Sequence, residues 1–417
     1  MSYNNLQMGE YVLLLLCVVA GVALLLLYVL RLRRYSLLTK HASWQLEAQA
    51  VEQATHEALV SGRSEEASML TIVVPVINER EPLKPLLQRL ITQKYADAYE
   101  IIVADECHSP EVEALCESLQ RTDFHNLRYT FVPNTSRYIE LRKLAITLGI
   151  RAARSEWVIV VSPDTLPSSD MWLYHVSQSL SDAYDWVIPY YNYDDDGSLV
   201  ARRAIFDRVC ALAMQVYAWE QGHVIGCPSS GWAVRKKWFI EQNGFADSVN
   251  MAFGEEQMLA CLHADAERTC LLCSPSTRLV ETLPTLDVLR VKRMQACEIN
   301  HHLKHYLRKY KWQDIVATLS VYVFATCQII YAVCRVMNDV NAEQYSISML
   351  PIDVVSLVLW GIMLVLPIVM IRRGLRTLDE RKYGAYIYIY ELMRPLHALA
   401  NEWRRMMHQR DFERKYI

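Results

Sequence analysis

Strand-like and helix-like segments alternate along the middle of the chain, and this alternation limits the fold more than any other feature of the sequence. Apolar runs rich in β-branched residues predict four strands, at Leu70–Val74, Ile101–Ala104, Leu127–Val132 and Trp157–Val161. Segments with helical spacing lie between them, at Pro82–Tyr95, Pro110–Arg121 and Tyr138–Arg154. This order predicts an α/β domain with a mostly parallel sheet and helices on both of its faces.

Carboxylate side chains follow three of the predicted strands. Asn78-Glu79 comes after the first strand and Asp105 after the second. Asp164 follows the fourth strand, which stops at Ser162-Pro163 because proline has no N–H to donate. Ligands of open α/β sheets bind beyond the carboxyl ends of the strands, and carboxylate oxygens suit Mg²⁺ or Mn²⁺. The pattern predicts a cleft for a nucleoside diphosphate and a divalent cation, although Asp164 taken alone fits a turn cap equally well.

Three long apolar runs carry no charged side chain: Tyr11–Leu30, Ile315–Cys334 and Val354–Ile371. A helix that crosses a membrane needs ~20 apolar residues, so the runs predict three transmembrane helices. Arginines follow the first and third runs, and basic residues precede the second. Because Lys and Arg are enriched on the cytosolic side, residues 31–314 and the C-terminus are expected inside the cell. The first run does not resemble a cleavable signal peptide, since no A-x-A site follows it.

The overall charge and the cysteine content favour a cytosolic, non-nucleic-acid-binding main domain. The formal net charge is −3, which argues against a nucleic-acid partner. The 11 cysteines are odd in number and scattered, which suits a reducing compartment better than a disulfide framework. Residues 372–417 carry a net positive charge, and Ala385–Met407 interleaves apolar side chains with arginines. This tail predicts a helix that lies on an anionic leaflet, with membrane lipids as partners.

Together these patterns divide the chain into five parts. They are an N-terminal transmembrane anchor (1–34), a helical stalk (35–68), the α/β domain (69–300), an interfacial helix with two transmembrane helices (301–371), and a basic amphipathic cytosolic tail (372–417).

Four motifs give the chain a family resemblance. They are T-I-V-V-P-V-I-N-E (71–79), E-I-I-V-A-D-E (100–106), R-K-L-A-I-T-L-G-I-R-A-A-R-S-E-W-V-I-V-V-S-P-D (142–164) and G-F-x9-E-E (244–256). Their order and spacing resemble the family 2 glycosyltransferases, enzymes with the GT-A fold (Rossmann-like, mostly parallel sheet) that use nucleotide-diphosphate sugars. With the flanking apolar runs, the resemblance is to the membrane-anchored bacterial members. It implies a multi-pass protein of the bacterial cytoplasmic membrane with its catalytic domain in the cytosol.

The resemblance implies roles for residues on the donor side. Pro75 and Glu79 would border the nucleotide, and Asp105 would bind the base. Lys143 would lie near the phosphates. Asp164 is similar to the last acid of the D-x-D motif, the one that meets the metal, so it is the expected ligand of Mg²⁺ or Mn²⁺. Ser162 stands where the first acid of that motif is expected and would supply no charge.

Other residues are implied on the acceptor side. Gly244-Phe245 is similar to the acceptor-side turn, and Trp232 would either stack on a sugar or belong to the core. Glu255-Glu256 resembles the acid pair whose second member is the catalytic base, with Glu256 in place of the usual Asp. Arg290 and Arg293 occupy the place of the Q-x-x-R-W motif of processive members, whose Gln and Trp are replaced here.

The function implied is that of an inverting hexosyltransferase acting at the cytosolic face of the membrane. The donor would be a nucleotide-diphosphate sugar, with UDP as the expected nucleotide, and the acceptor a lipid-linked glycan or a polysaccharide. The pathway would be envelope or exopolysaccharide synthesis, with proteins of envelope-glycan assembly as partners. Two alternatives remain: a polyprenyl-phosphate sugar transferase, which needs no base, and a degenerate, non-catalytic subunit of the same fold.

Overall fold

The structure is a computed structural model, and it describes residues 19, 21–22, 25–29, 32–49, 69–76, 83–95, 98–133, 140–341, 351–380 and 386–416. Glu79, most of the first apolar run and most of the predicted outer loop lie outside these residues. The strands are β1 (Leu70–Val76), β2 (Tyr99–Asp105), β3 (Leu127–Phe131), β4 (Trp157–Val160), β5 (Thr165–Pro167), β6 (Trp186–Ile188), β7 (Tyr191–Tyr193), β8 (Trp232–Arg235), β9 (Thr269–Leu271) and β10 (Leu279–Glu281).

Helices account for most of the remaining described residues. Residues 32–49 form α1. The others are α2 (Leu83–Ile91), α3 (Pro110–Thr122), α4 (Leu141–Ala152), α5 (Trp172–Ser177), α6 (Leu199–Trp219), α7 (Lys236–Glu241), α8 (Glu255–His263), α9 (Leu286–His302), α10 (His305–Asn341), α11 (Pro351–Thr377) and α12 (Tyr386–Tyr416).

Seven strands form one sheet in the order β3-β2-β1-β4-β8-β6-β9. The pairs β1–β2, β1–β4, β2–β3 and β6–β9 are parallel, and β8 runs antiparallel to β4 and β6. Successive side chains of a strand point to opposite faces, so Ile72 packs with α2 and α3 while Val73 packs with α4 and α6. The predicted α/β domain with a mostly parallel sheet is confirmed.

β1 does not end at Val74 as predicted but continues through Pro75. The strand runs on to Val76, and Pro75 lies opposite Ala104 of β2. On the other side, the Val161 N–H donates to the Val73 carbonyl, and the next bond of that ladder would need an N–H on Pro75. Proline therefore ends the pairing with β4 and leaves the pairing with β2 intact.

The apolar residues 186–193 form two strands and not one, because Pro189 divides them. The first half, β6, belongs to the large sheet, and the second half, β7, pairs with β10 in a separate sheet of order β5-β10-β7. This small sheet brings β5, which follows Asp164, beside Glu281 at the end of β10.

The described part of the predicted stalk, α1, lies against the α/β domain. The Gln45 amide donates to the Leu271 carbonyl and accepts from the Cys273 N–H, at distances of 2.5 and 2.6 Å. The Tyr35 hydroxyl lies 3.0 Å from the Cys210 thiol of α6. These contacts fix the chain that leads from the N-terminus onto the end of the sheet.

One helix in the part of the chain that the structure describes is long and apolar enough to cross a membrane, over His305–Ile330. Core helices of soluble proteins can meet the same criterion. This helix, the first part of α10, overlaps the second predicted run, whereas the first run lies mostly outside the described residues and the third forms much of α11. The three transmembrane helices therefore stay a prediction.

Candidate active site

A cavity of about 1280 Å³ opens beyond the carboxyl end of β4. Its walls come from the β4–β5 turn, the start of α4, α6, the loop before β8, the start of α8, and one face of α9. On the far side it reaches α10 and α12. It is the place where ligands of open α/β sheets bind.

Ser162 and Asp164 line this cavity, and the backbone around them is fixed by neighbouring hydroxyls. The Ser162 N–H donates to the Ser230 hydroxyl at 2.9 Å, and the Ser162 carbonyl accepts from the Thr165 hydroxyl at 2.8 Å. The Asp164 carboxylate is partly exposed to the cavity. Burial, and then the nearby Glu281 carboxylate, raise the pKa of Asp164 above its usual range.

The acid pair predicted from the sequence lines the same cavity, at the start of α8. Gly254 precedes the pair with φ +78°, and a Cβ there would lie 2.3 Å from the Ile299 side chain. The left-handed conformation and the close approach of α9 both require glycine at this position. Glu255 and Glu256 follow as the first two residues of the helix, where its dipole favours negative charge.

Glu255 and Glu256 have different surroundings. Glu255 accepts from the Arg142 guanidinium at 2.5 Å, and Arg142 also donates to the Ser229 carbonyl at 3.1 Å. Oε2 of Glu256 is buried and has no hydrogen-bond partner among the described residues. Burial, and then the charge of Glu255, raise the pKa of Glu256 to about 8. The pair therefore combines a paired carboxylate with one suited to take up a proton near neutral pH.

A second charged cluster lies on the other side of Asp164, and none of the sequence motifs predicted it. Glu281 is almost fully buried and accepts from Arg208 at 2.5 Å and from the Tyr191 hydroxyl. Lys292 on α9 donates to Glu281 and lies 3.7 Å from Oδ2 of Asp164. Asp164 thus faces a lysine ammonium at the cavity wall.

Three residues predicted on the donor side lie away from the cavity or point away from it. Lys143 is buried and donates to the carbonyls of Ser248 and Met251, so its charge holds the loop before α8. Asp105 accepts from the Cys107 and Ser109 N–H groups and the Tyr129 hydroxyl. Pro75 is buried within β1.

Most residues predicted on the acceptor side are structural. Trp232 is fully buried and stacks on Trp186, with ring centroids 4.9 Å apart, so of the two readings of Trp232 the structure places it in the core. Phe245 packs edge-on against Phe239 next to Gly244, which has φ +56°.

Of the two arginines of the Q-x-x-R-W position, only Arg293 lines the cavity. It donates to Asp207 at 3.1 Å. Arg290 is on the outer face of α9 and pairs with Asp287 at 2.8 Å.

The surroundings of Asp164 do not fit a divalent cation well. A serine replaces the other acid of the motif, and its hydroxyl already donates to the Ser229 carbonyl at 3.0 Å and lies 3.4 Å from Arg142. Among the described residues, no group of three His, Cys, Asp or Glu side chains is arranged to hold a metal ion. Mg²⁺ at nucleotide sites is held by one or two carboxylates together with phosphates and waters, whereas here the carboxylate of the motif, Asp164, already faces a lysine ammonium.

Residues 71–242 match the family model described as Glycosyl transferase family 2. The match starts in β1 and ends just after α7, so it includes Ser162 and Asp164 and stops before the acid pair. This part of the chain is a glycosyltransferase family 2 domain with a GT-A-like α/β fold, as the motifs predicted. The domain belongs to a class of enzymes, the glycosyltransferases.

None of the curated proteins matches the sequence. Among solved structures, the mannosyltransferase PcManGT from Pyrobaculum calidifontis, in complex with GDP-Man and Mn²⁺, matches with a TM-score of 0.45 and 14% identity, over 87% of this chain and 99% of its own. S. aureus TarS matches with a TM-score of 0.38 and 16% identity, over 61% of this chain and 43% of its own. A fragment of S. aureus TarS in complex with UDP-GlcNAc matches with a TM-score of 0.38 and 14% identity, over 78% of this chain and 88% of its own. The identification of the domain rests on the family match.

Proposed function

We propose that this chain is an inverting glycosyltransferase that uses a nucleotide-diphosphate sugar, with UDP as the first nucleotide to test. The observation that carries the proposal is that Asp164, which follows β4 of the matched domain, and Glu256, at the start of α8, line one cavity. The diphosphate would lie toward Ser162 and Asp164, where β4 ends. The acceptor hydroxyl would lie toward Glu256.

The chemical step follows from this arrangement. Glu256 takes the proton of the acceptor hydroxyl, and the hydroxyl oxygen forms a bond to the anomeric carbon of the sugar. The bond between that carbon and the diphosphate oxygen breaks, and the nucleoside diphosphate leaves with the electron pair. Arg142 pairs with Glu255 beside the base. Burial and the charge of Glu255 raise the pKa of Glu256, which favours proton uptake, while Arg142 moderates that rise.

The pH dependence of turnover tests the role of Glu256. Only the deprotonated carboxylate accepts a proton, and its pKa is raised to about 8. We therefore expect kcat at saturating donor and acceptor to rise with pH up to about 8 and then level off, approaching ~10-fold per pH unit well below that value. A profile that is flat between pH 6 and 8 would contradict this assignment.

The acceptor we propose is lipid-linked, because the cavity changes character along its length. Near Asp164 and Glu256 it is charged, whereas farther along α9 and α10 one wall is apolar, with Lys311, Asp314 and Arg394 beside it. The apolar wall consists of Leu289, Ala296, Ile299, Leu303, Leu307 and Ile315. A glycan alone would not use such a wall, while the first part of a lipid chain would be removed from water by it.

We also propose that the protein lies in the bacterial cytoplasmic membrane, with the chain divided as the sequence predicts. Ion pairs between these helices support placing the α/β domain and the tail on the same side of the membrane. Arg405 donates to Glu298 at 3.1 Å, and Lys311 donates to Glu402 at 2.5 Å. These pairs join the segment before the predicted second span to the tail after the third, and so favour an even number of crossings between them.

Exposed apolar side chains support the same proposal. On α12 they recur three or four residues apart and form one stripe: Tyr386, Ile389, Met393, Leu396, Leu399, Trp403, Met406 and Met407. Helical spacing of this kind is typical of a helix that places one face in a membrane interface.

The proposed topology predicts which reporter fusions are active. A reporter that works only on the outer side of the cytoplasmic membrane should be active when inserted at residue 345. It should be inactive when fused after Ile417 or after Arg34. A reporter that works only in the cytosol is the matched control and should give the opposite pattern. Activity of the outside reporter after Ile417 would exclude the orientation.

A further inference from the structure

We propose that the Lys292 ammonium takes the place of a divalent cation in this site and binds the donor diphosphate directly. The inference rests on the proposed function, since it concerns how the same donor is held. It differs from the sequence prediction, in which Mg²⁺ or Mn²⁺ on Asp164 performs this task.

The position of Lys292 is built into the fold. It lies on the face of α9 that lines the cavity, and its Nζ lies between Glu281 and Asp164. Glu281 is in turn fixed by Arg208 and Tyr191. The guanidinium of Arg208 lies 3.6 and 3.7 Å from the ring centroids of Tyr191 and Tyr193. The carboxylate that orients Lys292 therefore has little freedom to move.

Lys292 has hydrogen-bonding capacity left for a ligand. An ammonium carries three N–H donors and can share them between several oxygens. One is directed to Glu281 and another side of the group faces Asp164, while more than a third of the side chain is exposed to the cavity. A phosphate oxygen that enters beside Asp164 would meet the remaining donor and would form a charge-assisted hydrogen bond.

The charges around Asp164 fit an ammonium better than a divalent ion. Asp164 and Glu281 carry two negative charges, and Arg208 and Lys292 carry two positive charges. A divalent cation would have to enter next to Lys292, with Asp164 as its charged ligand and with the Ser162 hydroxyl already engaged. Because like charges repel strongly at such distances, the lysine and the ion compete for one place.

The experiment is a binding measurement on the purified full-length protein in detergent, with UDP and GDP as the probes. Each nucleotide is titrated calorimetrically in EDTA and in Mn²⁺. For the wild type we expect nearly equal affinity in the two conditions. Lys292→Met should lower the affinity in EDTA by roughly 10- to 100-fold, since a hydrogen bond to a charged group is lost. Lys292→Arg keeps the charge and should recover part of the affinity.

Lys237→Met is the matched control, because Lys237 is an exposed lysine of α7 that pairs with Glu241 outside the cavity. It should bind as the wild type does. Thermal unfolding of Lys292→Met checks that this variant is folded. If it is not folded, the comparison of Lys292→Arg with the wild type tests the role of the ammonium.

Two results would overturn the inference, and they have different consequences for the proposed function. The first is tight binding in Mn²⁺ and little binding in EDTA, with neither changed by Lys292→Met. It would show that a metal ion binds the diphosphate, and the proposed function would stand. No binding of either nucleotide by the wild type in any condition would overturn the proposed donor as well.

Discussion

Replacing the base, Glu256→Gln, is expected to reduce the rate of sugar transfer by ~10²–10⁴-fold, the usual contribution of general acid–base catalysis. The amide keeps the shape of the side chain but cannot take the proton of the acceptor hydroxyl. Affinity for UDP should change little, because Glu256 is proposed to act on the acceptor and not on the donor. Single-turnover transfer and calorimetric binding of UDP, measured on the same preparation, separate the two effects.

Two further variants make this test specific. Glu241→Gln changes an exposed acid of α7 that pairs with Lys237, and should leave both transfer and binding unchanged. Glu255→Gln tests whether the neighbouring acid is the base. If Glu256→Gln transfers at the wild-type rate and Glu255→Gln does not, the roles within the pair are exchanged. If neither variant is slow, the acceptor is ionised already, as in the polyprenyl-phosphate alternative.

The order of motifs predicted which segments meet at the site. Asp164 could be found because it follows an apolar strand that ends at proline, and Glu255-Glu256 because of their distance from Gly244-Phe245. In the structure both groups line one cavity, although 90 residues separate them in the chain. Such predictions succeed where a polar group directly follows a regular element, since the sheet then determines where the group lies.

It was harder to predict which way a side chain points than to predict which segment lies at the site. Arg142 and Lys143 are neighbours at the start of α4, and successive residues of a helix point ~100° apart. The sequence therefore cannot decide which of the two basic groups faces the cavity. In the structure Arg142 faces it and Lys143 binds carbonyls of the loop before α8.

The position of Lys292, in contrast, could have been predicted from the helical spacing of its segment. The residues of α9 that line the cavity recur at helical spacing: Leu289, Lys292, Arg293, Gln295, Ala296, Ile299 and Asn300. Arg290 falls on the opposite face of this pattern. Applying helical periodicity to the segment would have selected Lys292 over Arg290.

No pattern in the sequence predicts that Glu281 belongs to the site. It becomes part of the site through β10, a three-residue strand of the small sheet, and through partners on β7 and α6. Such long-range pairing leaves no local pattern in the sequence.

Removing the buried guanidinium, Arg142→Met, is expected to destabilise the protein by ~3–5 kcal/mol, the usual cost of breaking a buried ion pair by removing one partner. Arg142 is the nearest cation to Glu255, at 2.5 Å, and its side chain is mostly buried. Burial opposes the charge of Arg142, but the carboxylates of Glu255 and Glu256 hold its pKa above the ordinary value. Without it, the two acids at the start of α8 would lose their direct ion pair, and the nearby cation Lys143 is engaged by carbonyls of the preceding loop. Arg121→Met removes an exposed arginine paired with Glu117 and serves as the control, since surface pairs contribute little.

The same substitution should also move the pH profile of transfer, which a purely structural role would not do. Arg142 lowers the pKa of Glu256, whereas burial and Glu255 raise it. Loss of the guanidinium therefore shifts that pKa further upward, so a larger fraction of Glu256 is protonated at pH 7 and the rising limb of kcat moves to higher pH. The comparison is made at a temperature where both proteins are folded, with folding checked by circular dichroism at each pH. A stable Arg142→Met variant with an unshifted limb would show that Arg142 does not control the charge of the acid pair.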